Sequence, residues 1–407
     1  MTLAARHVAT VSTPSPWLVP TLTLGTSVNI LGARALPVFL PLVAADLGTT
    51  VALLGQVPAF MLLVAAVLAL VAGPLADQYG YRLMMVMGLS AVAVSAAATA
   101  FAPGVLVLLV VTAVGALGRA AVLPTAQAVV AARFEDEEVR RRSMSWVTTG
   151  LSVSAVLGVP LLTTVAALSH WRASFLKLAG LGLVAAVATW MMVDDVEAQR
   201  PRALRLENLL AAYAPLRRDP RTLALVGSSL AGDIGMWATA TYLSAFLMDR
   251  HGFDIQAVGW VHLGLGVLAT LGLVLAGGRL GARPRPLLVA CRLANGLVLC
   301  AAVALPLPGL LSAGLLVSVG VVLGTAQLLT SLLLTSQSPA GRATTLTLNS
   351  AALCLGMALG GSLGGLLLTL GGYEMVGVGS LAWLLVAAGL VAWSRPHGAA
   401  SPSTAAP

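Results

Sequence analysis

Three ionisable residues, Arg34, Arg119 and Asp233, stand inside long apolar runs of this chain, and they are where chemistry is expected first. A charge held in hydrocarbon costs about 2.5–3.5 kcal/mol on insertion scales, so each needs a partner or a wet cavity. Asp233 is the sole carboxylate so placed, which makes it the leading candidate for taking up and releasing a proton. Burial and a nearby guanidinium would pull its proton affinity in opposite directions. Two arginines against one aspartate leave a shared pocket net positive, which favours an anionic or neutral polar small molecule. Asn29, Gln127, Trp237, Tyr242 and Gln327 fall in the corresponding runs and offer hydrogen bonds and aromatic surface to the same pocket. A purely structural role is the alternative: a buried Arg–Asp ion pair pinning the two halves of the chain together, which is compatible with function if the pair opens during a cycle.

Other chemistries have little support. The chain lacks a G-x-x-x-x-G-K-[ST] phosphate loop and holds a single lysine, Lys177, so ATP-driven work by this chain is excluded and no organic cofactor is called for. The five histidines are scattered without metal-ligand spacing, and no metal site is expected. Cys291, Cys300 and Cys354 all lie in apolar runs and read as small packing residues, and Met61, Met84, Met85 and Met87 read as core and lipid-facing filler.

The elements that must position these residues are membrane helices. Of 407 residues, 58% are hydrophobic and 9% charged, with a mean hydropathy of +0.94, which no water-soluble globule shows. Apolar runs long enough to cross a bilayer of roughly 30 Å predict twelve spans. These are 17–42, 51–73, 83–102, 105–131, 144–168, 173–193, 222–248, 257–278, 286–306, 309–335, 344–370 and 375–394. The first reads as a retained helix, being too long for a signal-peptide core. A polar connector separates a six-helix half, 1–193, from a second, 222–407; the connector, 194–221, carries Pro201, Pro215 and Pro220.

Basic residues set the expected orientation. Of the 23 Lys and Arg, 18 fall in segments on one face, Arg285 and Arg292 among them; Arg172, Lys177 and Arg250 fall on the other, and Arg34 and Arg119 within spans. Both termini are therefore expected in the cytoplasm. The formal charge of +8 is mostly this bias, leaving nothing for nucleic acid to explain. Arginine richness and Ala/Leu/Val/Gly abundance point to a bacterial inner (plasma) membrane. Asp46 and Glu374 near the outer ends read as solvated, as does the run Glu135 to Arg142 on the inner face.

The halves repeat. Gly48, Gly55 and Gly73 recur as Gly252, Gly259 and Gly277 at an offset of 204. Between the second and third spans lies Gly73-Pro-Leu-Ala-Asp-Gln-Tyr-Gly-Tyr-Arg82, read as a tight charged connector, with no acid in its second copy. This connector resembles the signature loop of the major facilitator superfamily in Gly73, Leu75, Asp77, Gly80 and Arg82, and departs from it at Gln78 and Tyr81. Gly150, Gly158 and Pro160 resemble the antiporter motif of the superfamily's twelve-span proton-antiport branch, which exports drugs, sugars and metabolites. His170-Trp171-Arg172 is similar to that branch's turn into the sixth span. Gly115 and Pro124 match its fourth-span motif, but Val111 stands where that motif has its arginine.

The resemblance implies an all-α membrane fold of twelve helices in two six-helix halves around a central cavity lined by spans one, four, seven and ten. All three intramembrane charges lie on that set. It also implies a gating role for Gly73, Asp77, Gly80 and Arg82. The expected function is secondary active transport by alternating access: proton-coupled efflux of a small organic molecule, driven by the proton gradient, by a monomer in the lipid bilayer. One alternative is an importer or exchanger of a small anion, resembling cyanate or nitrate carriers, with Arg34 and Arg119 as an anion clamp. Another is a non-transporting membrane sensor or scaffold.

Overall fold

The computed structural model describes residues 15–194, 219–277, 283–336 and 342–394, and all regular structure among them is helical. The first half holds α1 (Leu18–Asp46), α2 (Gln56–Tyr79, preceded by the short turn Val51–Leu54), α3 (Tyr81–Ala100) and α4 (Val105–Arg133). α5 runs over Glu137–Val153, through a wide π-turn at Ser154–Gly158, to Val159–Leu168, and α6 over Trp171–Met192. The second half holds α7 (Pro220–Ala240, resuming as Leu243–His251), α8 (Ile255–Gly277), α9 (Pro284–Ala304) and α10 (Gly309–Ser336). The last helical stretch, Arg342–Trp393, is two helices, α11 (342–370) and α12 (373–393), folded back where Gly371 and Gly372 leave helical geometry.

Ten of these stretches are long and apolar enough to span a membrane. Counting the interrupted α7 and the two helices of the final stretch separately, the described helices are consistent with the expected twelve. Residues 195–218, most of the expected connector, lie outside the described residues, as do 278–282 of the second loop.

Short polar side chains start the helices where the apolar runs begin. Thr50 accepts from the Leu53 amide, Asp136 from Val139, Asp219 from Arg221 and Thr222, and Asp254 from Ala257. The internal repeat shows in these caps. Thr50 and Asp254 are 204 residues apart, and so are Gly48 and Gly252, whose φ of 61° and 66° suits glycine and closes α1 and α7 alike.

Three expectations change. The stretch from Gly73 to Arg82 is not a ten-residue connector: α2 continues through Tyr79 and the chain turns at Gly80 alone, with φ 93°, before α3 begins. The side-chain surroundings of Gly73 and Asp77 lie outside the described residues. Arg82 stacks on the Trp190 ring of α6, 3.9 Å from its centre. The second change concerns Arg292. It is not on the cytoplasmic face but eight residues into α9, about 12 Å past Pro284 at helical rise, and is only 6% exposed.

The outer-end acids are also not simply solvated. Asp46 accepts from Arg172 at 2.6 Å, which ties the end of α1 to the start of α6 and holds the Asp46 carboxyl charged. Arg250 and Glu374 tie the end of α7 to the start of α12 in the same way. The repeat therefore keeps the clamp and reverses its sign.

The halves meet mainly toward the face where α1 and α7 end. One apolar core there takes Leu36, Phe39, Leu40 and Leu54 from the first half and Tyr242, Phe246, Leu247 and Val258 from the second. At mid-depth, Met61, Leu62 and Ala65 of α2 pack on Met357 and Ala358 of α11. Toward the opposite face the second half has a separate core of Leu225, Leu288, Leu329, Leu333 and Val391, to which the first half contributes none of the described residues.

Candidate functional site

α1, α4 and α7 bring Arg34, Arg119 and Asp233 to the junction of the halves, each half-buried. Arg34 Nη1 donates to the Leu151 carbonyl of α5 at 3.5 Å. Arg119 is the electrostatic neighbour of Arg34 on one side and of Asp233 on the other. The three expected residues thus form one chain of charges in the order Arg34, Arg119, Asp233.

Arg292 joins this chain from α9. It is the strongest cationic neighbour of Asp233, ahead of Arg119, and its guanidinium occupies the space that a side chain at Gly232 would need. Among the described residues, none of Arg34, Arg119, Asp233 and Arg292 forms an ion pair within 4 Å, unlike the rim arginines. The carboxylate stands between two guanidinium groups without being locked to either.

A second titratable group was also missed. His262, half-buried on α8, has Nδ1 3.0 Å from the Val258 carbonyl and lies in the field of Arg34 across the halves. Its neighbours in sequence are apolar, and its place inside the expected span 257–278 was the signal, the same one that singled out Arg34, Arg119 and Asp233.

Asn29 sits on α1 at the position equivalent to Asp233, again 204 residues apart. Its side chain is 1% exposed, and neither amide atom has a hydrogen-bond partner. It lines a cavity of about 30 Å3 with Ser95 and Thr99 of α3 and Thr112 and Arg119 of α4. That volume holds about two water molecules, and the lining offers them polar partners. Gly115 and Gly118 allow the approach: Ser95 Oγ would lie 2.8 Å from a side chain at the first and Asn29 Oδ1 3.2 Å from one at the second.

The other expected cavity residues divide. Trp237 is half-buried and packs on the mid-depth contact between the halves, with its Cβ against Gly360. Gln127 is half-buried on α4, and Gln327 is exposed on α10. Tyr242 is no cavity residue. Buried to 1% exposure, it donates to the Gly361 carbonyl of α11 at 2.9 Å and fills the space opposite Gly55 and Gly365. It is a bolt in the contact that closes one face, where Gln56 Nε2 also donates to the Ser362 carbonyl at 3.3 Å.

The expected antiporter motif lies on the other seam. Gly150 packs on the backbone of α1 at Thr23 and Ser27, and Gly158 packs on Leu31. Between them the π-turn widens α5, and its residues Ala155 and Val156 meet Gly266 of α8. Further along, Thr163 fits against Gly259, and toward the middle Thr270 donates to Ser152 Oγ at 3.1 Å.

Comparison with known proteins bears on the fold and family of most of the chain. The family model described as Major Facilitator Superfamily matches residues 22–347. The transcription regulatory protein OpdE of Pseudomonas aeruginosa is 30% identical over 378 residues, 88% of this chain and 89% of that one. The uncharacterized MFS-type transporter YtbD of Bacillus subtilis is 27% identical over 148 residues, and that alignment spans 36% of each chain. A crystal structure of a mutant nucleoside transporter, NupG, superposes with a TM-score of 0.73 at 16% identity, covering 93% of this chain and 98% of the other. Transport of small molecules across membranes, without enzymatic chemistry, is what such proteins do, and on the match along most of its length this chain belongs to the Major Facilitator Superfamily.

Proposed function

We propose that the protein is a proton-coupled exporter of a small anionic or neutral polar organic molecule, working by alternating access as a monomer in a bacterial plasma membrane. The observation that carries this reading is Asp233: among the described residues it is the only carboxylate at mid-depth, and it lies at the junction of the halves beside Arg119 of the opposite half. Moving the halves changes that neighbour, so proton uptake and conformational change are coupled through one residue. With Arg292 placed in the interior, 17 basic residues remain on the face of the termini against three on the other, which supports cytoplasmic termini. On that orientation the face where the second half keeps a core of its own is the cytoplasmic one, and cargo for export is loaded from it. Gly73, Asp77, Gly80 and Arg82 serve as the latch on that face, and Gly150, Gly158 and Pro160 as a pliable antiporter seam.

The test is flux in proteoliposomes carrying a pH gradient. The Asp233→Asn variant is expected to lose proton-driven flux by at least a hundredfold while still binding cargo. Unchanged coupling in that variant rules out the assignment.

The excess of arginine favours a second reading, import or exchange of a small anion held by Arg34 and Arg119. Flux driven by an anion gradient with no accompanying proton movement would establish it over the exporter. The regulatory name carried by OpdE favours a third, a membrane sensor; vesicles in which no gradient dissipates across a broad ligand set would support it.

A further inference from the structure

We propose that Arg292 is the permanent counter-charge of Asp233, a positioning residue that travels with the carboxylate through the cycle while Arg119 supplies the part of the field that changes. The inference rests on the reading of Asp233 as the coupling site and adds a residue that this reading did not contain. Its basis is geometric. Asp233 on α7 and Arg292 on α9 belong to the same half, so rocking the halves leaves their separation unchanged. Arg119 on α4 belongs to the other half, so rocking moves it toward or away from Asp233.

The burial of Arg292 has no other explanation among the described residues. It is 6% exposed, its Nε has no hydrogen-bond partner, and it forms no ion pair within 4 Å. A charge in that position is costly unless an opposite charge answers it. Gly232 makes the answer possible by leaving room for the guanidinium beside the neighbouring carboxylate. One turn further along α9, Asn295 turns its Nδ2 to Met236 Sδ at 3.9 Å and leaves its buried Oδ1 unpaired, so the pair is bordered by a second polar side chain on the same helix face.

The internal repeat shows that the two charges come together. In the first half, Asn29 stands at the position of Asp233, and the stretch of α3 equivalent to Arg292, Met87-Gly88-Leu89, is uncharged. At these two equivalent positions one half holds both the acid and the base, and the other holds neither. A cation kept only for packing would have no reason to appear with the acid.

The groups facing Asp233 are Arg292 from α9, Arg119 from α4 and the Cys354 thiol from α11, with Arg34 of α1 behind Arg119 and His262 of α8 behind Arg34. The test is an infrared difference titration of the full-length protein in lipid nanodiscs without cargo, with the Asp233 carboxyl band identified by its loss in Asp233→Asn. Arg292→Gln is expected to move the midpoint of that band up by one pH unit or more. Arg292→Lys is expected to restore most of it, and Arg119→Gln to move it less. An unmoved midpoint in Arg292→Gln, or a larger shift in Arg119→Gln, overturns the proposal.

Should Arg292→Gln unfold, the double variant Asp233→Asn/Arg292→Gln decides: it is expected to melt at or above the temperature of the better single variant, and additive losses overturn the pairing. These readouts involve no cargo. A protein that shows them but moves no protons in vesicles refutes the coupled-export reading alone.

Discussion

Asn29 and Asp233 occupy one position of a repeated unit and differ by an amide against a carboxylate, which makes them the natural pair to probe side by side. The Asn29 amide bonds no protein atom, so replacing it breaks no protein hydrogen bond and gives up only the water of its small cavity. Asn29→Leu is therefore expected to keep or raise the melting temperature while lowering flux about tenfold, because the polar cavity next to Arg119 dries out. A variant that melts earlier yet transports normally would make Asn29 a packing residue. The chemistry at this scale was partly legible in the sequence. Arg34, Arg119 and Asp233 announced themselves as charges in apolar runs. Arg292 did not, because it falls only about two turns into its expected span, 286–306, and its charge was counted with the basic residues of that face. Only its depth along α9, set by where the helix starts, shows that it is interior. Tyr242 misled in the opposite sense: its span suggested the cavity, but the break at Thr241 and Tyr242 turns the ring into the contact between halves.

Helix contacts between the halves depend on glycines whose place no other residue can take without moving a partner. A side chain at Gly365 would meet the Tyr242 hydroxyl, Gln56 Nε2 and the Ala52 carbonyl together. Gly365→Val is expected to cost about 1–3 kcal/mol of thermal stability and to open the closed face, read as faster alkylation of a cysteine placed at Ala52. Unchanged alkylation would show that the contact is not a gate. The rim clamps are a second case. Asp46→Arg is expected to destabilise the protein by at most about 1 kcal/mol, since exposed pairs contribute little. Adding Arg172→Glu should recover the loss, because the double variant reproduces the polarity of Arg250 and Glu374. Additive losses in that cycle would mean that the clamps matter through shape. The existence and order of the helices were legible, since apolar length fixes a span. Their ends were less so: α5 begins at its Asp136 cap, about two turns before its apolar run, because a charged helix end can stand in water.

At the scale of the whole molecule, two halves that each close their own rim and hold their own inner core should not need a covalent link. A chain cut within 195–218 and expressed as two pieces is expected to assemble and retain flux, and failure of the pieces to co-purify would show that the connector aligns them. Labelling of single cysteines near Glu137 and near Glu374 from opposite sides of intact cells checks the orientation. The opposite polarity of the two rim clamps also records history. An ancestral six-helix unit that was copied must have had one polarity, so one copy has since changed both partners. Passing through a mismatched intermediate was tolerable there because water screens the rim. At the Asn29 and Asp233 positions an unmatched ion is costlier than at the wet rim, so the guanidinium of α9 and the acid of α7 are best kept or lost together, and the rim and the interior diverge under different rules.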